Sequence, residues 1–541
     1  MRRTRILRAG LPLSIAFGAA LALCFFSGDK PSHGDPGGFT HPGILVTQPQ
    51  LDLVKSNIAA GAQPWTRAFE DAKTFPSDAL GSDPLAEPPG KLEYTPHALT
   101  AVAKTYLNDA VPVGYVLCGS VSDPDVHCTA EKEDGVAAYT QALLWYLSPD
   151  GSERDTYGQT AIAILNTWAP LIDHLGFNAG LQAGWMGTEF ARAAEIMQLD
   201  ASWKKADVDA FKAMMRRAFL GRLLLVYPGV SRPGDSSYGQ NGNWLLSVAD
   251  SIIQIGVLLD DVDVFNRGIA LWRDRTPAYC YLSSLDGAHP KLPCGGYVGT
   301  ASGYGDAGNR VYDPYGYFGQ AAGDSPISDP VLPPADAGPD AAPPAPPARA
   351  YRAPEDGTAQ ETCRDMDHVQ YGLAAMMAGA ETARIQGVDL YREQATRIVA
   401  CLENAAYFLN GAVANGEPTD GVPTATNDAG SPPPYPIPTK KPITVASSDP
   451  YLCPSAAGKA QVILLNSNSL TTFVAEPTWE IGYNEYANRL GYTMPNTQKL
   501  VTHYRTQPPP GWNRATHHIA HEMLTHADVG SPGLPATMCG P

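Results

Sequence analysis

Apolar residues return at steps of three and four in segment after segment of this chain, and that rhythm excludes most folds before any motif is read. "EDGVAAYTQALLWYLSP", "YGQTAIAILNTWAPLI", "AGWMGTEFARAAEIMQ", "KADVDAFKAMMRRAFLGRLLLVY", "NWLLSVADSIIQIGVLLDD" and "VDVFNRGIALWRDR" carry it in the first half. "HVQYGLAAMMAGAETARIQG", "YREQATRIVACLENAAYFLNG" and "TWEIGYNEYANRLG" carry it in the second. Each reads as an amphipathic or buried helix. Strand-like alternation is confined to "KAQVILLN" and "TTFVA". No short repeat period links the helices, so they read as helical hairpins packed in a ring rather than as a short-period solenoid. The predicted fold class is all-α, and 541 residues with 44% hydrophobic content suffice for the core it needs.

The opening "MRRTRILRAGLPLSIAFGAALALCFFSG" has a basic start, an apolar run and a polar sequel, the layout of an export signal over residues 1–28. Cys24 in "LALC" offers a site for a lipid anchor, although Leu23 is bulky where such cleavage sites take a small residue. The expected protein is secreted, periplasmic or held at the cell surface, with no integral membrane domain, and is a monomer. After a tether at 29–40, folded sequence starts with "HPGILVTQPQLDLVKS", where Thr47 is a candidate helix cap. One domain is expected over 41–530, with a tail at 531–541. Within it, residues 325–357 are too rich in Pro, Ala and Asp to build a core. Helices on both sides share one pattern, so this stretch reads as an insertion rather than a domain linker. "NGEPTDGVPTATNDAGSPPPYPIPTKKP" reads as a second surface region.

Nine cysteines less Cys24 leave an even number, and an exported chain meets conditions in which thiols pair. Close sequence neighbours suggest Cys118 with Cys128 and Cys280 with Cys294; Cys363, Cys401, Cys453 and Cys539 stay unassigned. A net charge of −17 argues against a nucleic-acid partner, and any polyanion would need a local basic cleft.

The densest polar run is "QETCRDMDHVQYGL", residues 360–373. A helix over 361–385 places Arg364, His368 and Tyr371 on one face, with Glu361 a turn earlier. The plain reading is a helix start whose Glu361 and Asp365 complement the dipole. The other is a functional stripe. Upstream, "SSYGQNGNW" sets Tyr238, Gln240, Asn241, Asn243 and Trp244 before an apolar helix. Asn243 can be an N-cap and Trp244 core, or the amides can hydrogen-bond a carboxylate while an aromatic stacks on a sugar. Tyr94, His97, Tyr139 and Trp145 read as aromatic packing ahead of sugar stacking. Arg310, Tyr312, Tyr315 and Tyr317 in "NRVYDPYGYFG" are candidates for a subsite loop. In "HHIAHEMLTH", His521 and His526 fall about 140° apart around a helix, and no Cys or carboxylate cluster completes His517 and His521, so no metal is expected.

In order and spacing, "HPGILVTQPQLDLVKS", "NGNW", "QETCRDMDHVQYGLAAMMAGAETARIQGVDLY" and "PTWEIGYNEYANRLG" resemble the alginate-lyase-like superfamily of polysaccharide lyases over most of residues 41–495 outside the insertions. The similarity is greatest to secreted members whose motif runs Gln-Glu-Ser-Gly-Arg-Asp-Gln-Gly-His. The resemblance implies an α/α toroid of about six or seven helical hairpins with a groove for an anionic polysaccharide. It also implies β-elimination at β-1,4 linkages of alginate, glucuronan or a related polyuronate, with no cofactor. Arg364 and His368 match the motif Arg and His, Asn241 or Asn243 the carboxylate-binding Asn, and Tyr371 the tyrosine that serves as acid and base. Glu361, Asn243, Gln240, Tyr238, Trp244 and Arg310 are expected to bind substrate. Cys363 replaces a Gly, Met366 and Asp367 replace Gln-Gly, and "GQNGNW" lacks the His that follows an Asn in some relatives, which tells against a separate upstream base.

The chemistry explains the residue types. An ionised uronate makes its α-proton a very poor acid, so a cation or amide must first neutralise the carboxylate, as Arg364 and Asn241 or Asn243 could. A phenol with a reference pKa of about 10 becomes a base when a neighbouring cation favours phenolate, and the phenol then formed can protonate the leaving oxygen. Tyr371 is favoured for both steps, with His368 assisting or itself the base. A glycoside hydrolase on a similar toroid would instead need two flanking carboxyl groups, for which Glu189, Glu195, Asp250 and Glu361 are available. An inactive glycan-binding protein is the non-enzymatic reading.

Overall fold

The computed structural model describes residues 38–74, 87–106, 109–120, 123–226, 242–287, 356–361, 366–414, 478–506, 518 and 521–527. The expected export signal, both Pro-rich stretches except residues 356 and 357, and the two expected strands lie outside the described residues. So do Tyr238, Gln240, Asn241, Arg310, Tyr312, Tyr315, Tyr317 and Arg364.

Helices dominate, as the periodicity predicts. In chain order they are α1 (Gln48–Ala59), α2 (Trp65–Thr74), α3 (Cys128–Leu147), α4 (Ser152–Trp168), α5 (Ala179–Met197), α6 (Lys205–Met214), α7 (Gly221–Val226), α8 (Asn243–Leu258) and α9 (Val262–Tyr279). There follow α10 (Ser283–Asp286), α11 (Met366–Ile385), α12 (Leu390–Glu393), α13 (Ala395–Ala414), α14 (Trp479–Tyr483), α15 (Pro495–Thr506) and α16 (Glu522–His526). A π-helical turn, Met215–Leu220, joins α6 to α7. Thr47 caps α1 as expected, its hydroxyl accepting from the Gln50 N–H.

The fold is an all-α α/α toroid. α3, α5, α8 and α11 pack side by side in that order as the inner wall, with α4, α6, α9 and α13 behind them. Sequence decides which helices lie inside: α5 and α8 are buried along every residue, whereas α4 and α6 keep a solvated face. α14 continues from α11, and α16 bridges α14 back to α1 and α2.

That last contact closes the ring through polar groups. Glu522 accepts the N–H groups of Trp479, Glu480 and Ile481 at 3.1, 2.9 and 3.2 Å, satisfying the start of α14. Gln50 of α1 donates to the Thr525 carbonyl at 2.8 Å, and Asn484 donates to that of His526. The Thr140 hydroxyl of α3 donates to Val136 O at 2.8 Å and therefore accepts from Nε2–H of His521 at 2.8 Å. His521 of "HHIAHEMLTH" thus holds the wall; among the described residues no group of side chains has the makings of a metal site.

Burial holds the His521 imidazole down at about 3. Unfolded, it takes a proton near 6.5, so the stability this group contributes is present above that pH and is lost as pH falls toward about 3. Glu522, pushed up to about 8 by burial and then by Glu480, works in the opposite sense, so the readout is a difference between proteins. His521→Asn is expected to show a shallower acid-side decline of its urea midpoint than the parent. Parallel declines would mean that the folded ring already protonates His521.

The β structure differs from expectation. β1 (Val102–Tyr106) and β2 (Asp109–Val111) pair antiparallel; β3 (Tyr115–Ser120) pairs antiparallel with β4 (Asp123–Val126) and parallel with β5 (Asp173–Leu175). β2 and β5 hold three residues each, too few to set up an alternating pattern, and the Cys118–Cys128 disulfide, as expected, ties β3 to the start of α3. "EYTPHAL" is irregular rather than helical. Tyr94, His97 and Trp168 converge on buried Asp134 at 2.9, 2.9 and 2.6 Å, and Tyr139 is sealed in the core, so these aromatics pack. Among the described residues no helix is long and apolar enough to cross a membrane.

Candidate active site

From His368 to Ile385, α11 is buried except at two positions, His368 and Tyr371. Three residues apart, they share a face, and their rings meet edge to face with centroids 5.2 Å apart and planes at 68°. An apolar helix has been interrupted at one place to bring an imidazole and a phenol to the surface. Trp185 of α5 stands behind the phenol, its ring 6.2 Å from that of Tyr371.

Glu361 is not on this helix, contrary to the predicted span of 361–385. α11 begins at Met366, and residues 356–361 instead run beside the end of α9, with Gln360 N–H donating to Tyr279 O at 2.7 Å and a bridge between Cys280 and Ala359. This pairing delivers the Glu361 carboxylate to the N-terminus of α8. It accepts Asn243 N–H at 2.8 Å and Asn243 Nδ2–H at 2.8 and 2.9 Å, and the Tyr279 hydroxyl lies 3.3 Å away. Gly242 makes the approach feasible: it sits at φ +66°, and a Cβ there would fall 2.7 Å from the carboxyl carbon. The two polar motifs of the sequence are therefore one assembly, in which Glu361 caps α8 from a distance and complements its dipole.

Asn243 spends its amide hydrogens on Glu361, while its Oδ1 is buried with no hydrogen-bond partner among the described residues. Trp244 is buried, edge-on to Phe177 at 6.0 Å, and forms wall rather than an open sugar platform. Tyr279 reaches the other way as well, lying 3.0 Å from His368 O, so α9 supports the first turn of α11.

His518 was missed by sequence reasoning. The Ser247 hydroxyl donates to Asn243 O at 2.8 Å and so accepts from Nε2–H of His518 at 3.1 Å. The unprotonated nitrogen is then Nδ1, which is buried with no partner among the described residues. Burial first, and then Arg192, hold this imidazole down at about 3, so it is neutral. Its ring meets Trp185 at 6.5 Å, and His518, Trp185, Tyr371 and His368 form a continuous aromatic row. No spacing rule links residue 518 to α8; the only signal was the unusual density of histidine nearby.

Beneath the row lies a sealed ionic cluster. Arg192 donates to Glu189 at 3.0 Å and to Gln254 at 3.1 Å, with Asp250 at 3.5 Å, and all four side chains are excluded from solvent. Burial pushes Asp250 up to about 7 against the pull of Arg192 and Gln254. Glu195 is engaged elsewhere, accepting from Gly43 N–H and His41. The arrangement thus sets an imidazole and a phenol, groups able to exchange protons, at solvent against the aromatic row of Trp185 and His518.

No protein-family profile matches the sequence, and no curated protein matches it. Among solved structures, an alginate lyase from Bacteroides ovatus is 13% identical with a TM-score of 0.41, covering 70% of this chain and 85% of that one. A histidine-to-alanine variant of alginate lyase A1-III complexed with a tetrasaccharide is 14% identical with a TM-score of 0.40, covering 72% and 81%. A tyrosine-to-phenylalanine variant of the same enzyme, also with a tetrasaccharide, gives 15%, 0.37, 71% and 81%.

Proposed function

We propose that this protein is a polysaccharide lyase that cleaves a β-1,4-linked uronic-acid polymer, alginate or a related polyuronate, by β-elimination. The observation that carries the reading is the His368–Tyr371 pair, brought alone to solvent by an otherwise buried stretch of α11. In this reading Tyr371, as phenolate, takes the proton α to the carboxylate. The electron pair left behind forms the new double bond, the adjacent carbon–oxygen bond breaks, and the phenol returns its proton to the leaving oxygen. His368 supports the ionised phenol. Arg364, seven residues before Tyr371, and Asn241 are assigned to neutralise the carboxylate on the strength of the sequence motif.

Hydrolysis fits less well. Its two carboxyl groups must flank the bond, yet Glu189 and Asp250 are sealed around Arg192, Glu195 holds His41, and Glu361 caps α8. The test is digestion of a panel of polymannuronate, polyguluronate and polyglucuronate, following ultraviolet absorbance of unsaturated ends beside the yield of reducing ends. Equal growth of both on one polymer supports elimination, and reducing ends without absorbance would establish hydrolysis.

Arg364→Ala is expected to lower kcat/KM on the responsive polymer by about 10²–10³-fold. Arg364→Lys should recover only part of it, because an ammonium cannot grip a carboxylate bidentately. Parental kinetics in Arg364→Ala would remove the guanidinium from the mechanism.

A further inference from the structure

We propose that Cys280 and Cys401 are joined by a disulfide bond in the oxidised protein, bracing α9 against α13 directly behind the candidate site. Sequence proximity had suggested Cys294 for Cys280. Cys294 lies outside the described residues, and the fold brings a different thiol to Cys280.

Two sets of contacts, one through Arg397 and one through residues 357–359, bring the segments that carry them together. Arg397, one turn before Cys401 on α13, donates to Cys280 O at 2.6 Å and clamps Asp286 with two bonds of 2.6 and 2.7 Å. Gly357 donates its N–H to Tyr281 O at 2.9 Å, and a Cβ on Gly357 would fall 2.2 Å from the carbonyl oxygen of Ala400, the residue before Cys401. Cys280 itself bridges Ala359 on the same segment. The backbone around Cys280 is thus pinned to the turn of α13 that carries Cys401. Both thiols are fully buried and stand reduced in the structure. Beyond the effect of burial, Cys401 is the hydrogen-bonding neighbour that pushes the Cys280 thiol up.

Two buried thiols on segments held against each other, in a chain that already closes Cys118 to Cys128, are placed to join as a disulfide. Formation releases two protons and two electrons from the pair; the acceptor is a second disulfide, of a small thiol or an oxidising protein, which is reduced to two thiols. Burial then protects the bond from exchange, because an attacking thiolate cannot reach either sulfur. The consequence is local. Tyr279, the neighbour of Cys280, is the residue whose hydroxyl lies between Glu361 and the first turn of α11, so the bond would fix the support of both site motifs.

The proposal stands whether or not the protein is a lyase, and its test uses no substrate. The full chain is folded in the presence of oxidised glutathione, unfolded in denaturant with an alkylating reagent, digested without reductant and mapped by mass spectrometry. The expected result is a cross-linked peptide pair containing Cys280 and Cys401 that separates on reduction, with neither residue alkylated. Alkylation of both thiols, or a peptide joining Cys280 to Cys294 or to another cysteine, overturns it.

Discussion

Replacing Tyr371 by phenylalanine is expected to cut turnover by about 10²–10⁴-fold while leaving polymer affinity within a few-fold of the parent. The ring stays, and with it the edge contacts to His368 at 5.2 Å and Trp185 at 6.2 Å, so the aromatic row keeps its shape and only the hydroxyl is lost. Initial rates of double-bond formation and a binding isotherm for the same polymer check the two halves separately. Near-parental rates in Tyr371→Phe would hand the proton transfer to another group, His368 first. If the parent binds polyuronate as tightly and turns none of it over, the protein is a glycan-binding relative that kept the groove without the reaction.

The second large effect is on stability. Arg192→Met is expected to cost about 3–5 kcal/mol, because Glu189 and Asp250 lose their buried cation and must be carried inside the wall unpaired or take up protons. The guanidinium also lies over the Tyr139 ring at 5.9 Å, a contact that Met replaces only in part. Urea unfolding followed by far-ultraviolet circular dichroism measures the loss. Adding Glu189→Gln and Asp250→Asn to Arg192→Met should restore much of it, since no buried charge is then stranded. A loss below about 1 kcal/mol in the single variant would show that water reaches the cluster.

The helices were legible because each carries its own evidence in a three-to-four-residue rhythm and needs no distant partner to declare itself. Thr47 belongs to the same class, a cap readable from its neighbours alone. The His368–Tyr371 pair was legible for a related reason: helical geometry fixes which side chains share a face. What the sequence hides is everything that depends on which elements meet. Glu361 looked like the first turn of its own helix and serves another, because residues 356–361 pair with the end of α9. His518 approaches α8 across 271 residues of chain, and the turn of α13 that carries Cys401 is held to Cys280 by Arg397 across 117 residues. The strands escaped for the opposite reason, since segments as short as Asp109–Val111 and Asp173–Leu175 hold too few residues to show a period.

The closure of the ring by α16 sets the order in which a nascent chain can finish folding. The bond from Gln50 to Thr525 spans 475 positions, so α1 emerges early and waits for nearly the whole sequence to be synthesised before meeting its partner. Until then the inner helices form an open arc with one exposed apolar seam, and contacts of such long range form slowly and late. A chain truncated before residue 521 should therefore keep an arc that proteases can enter, whereas the full chain shuts it.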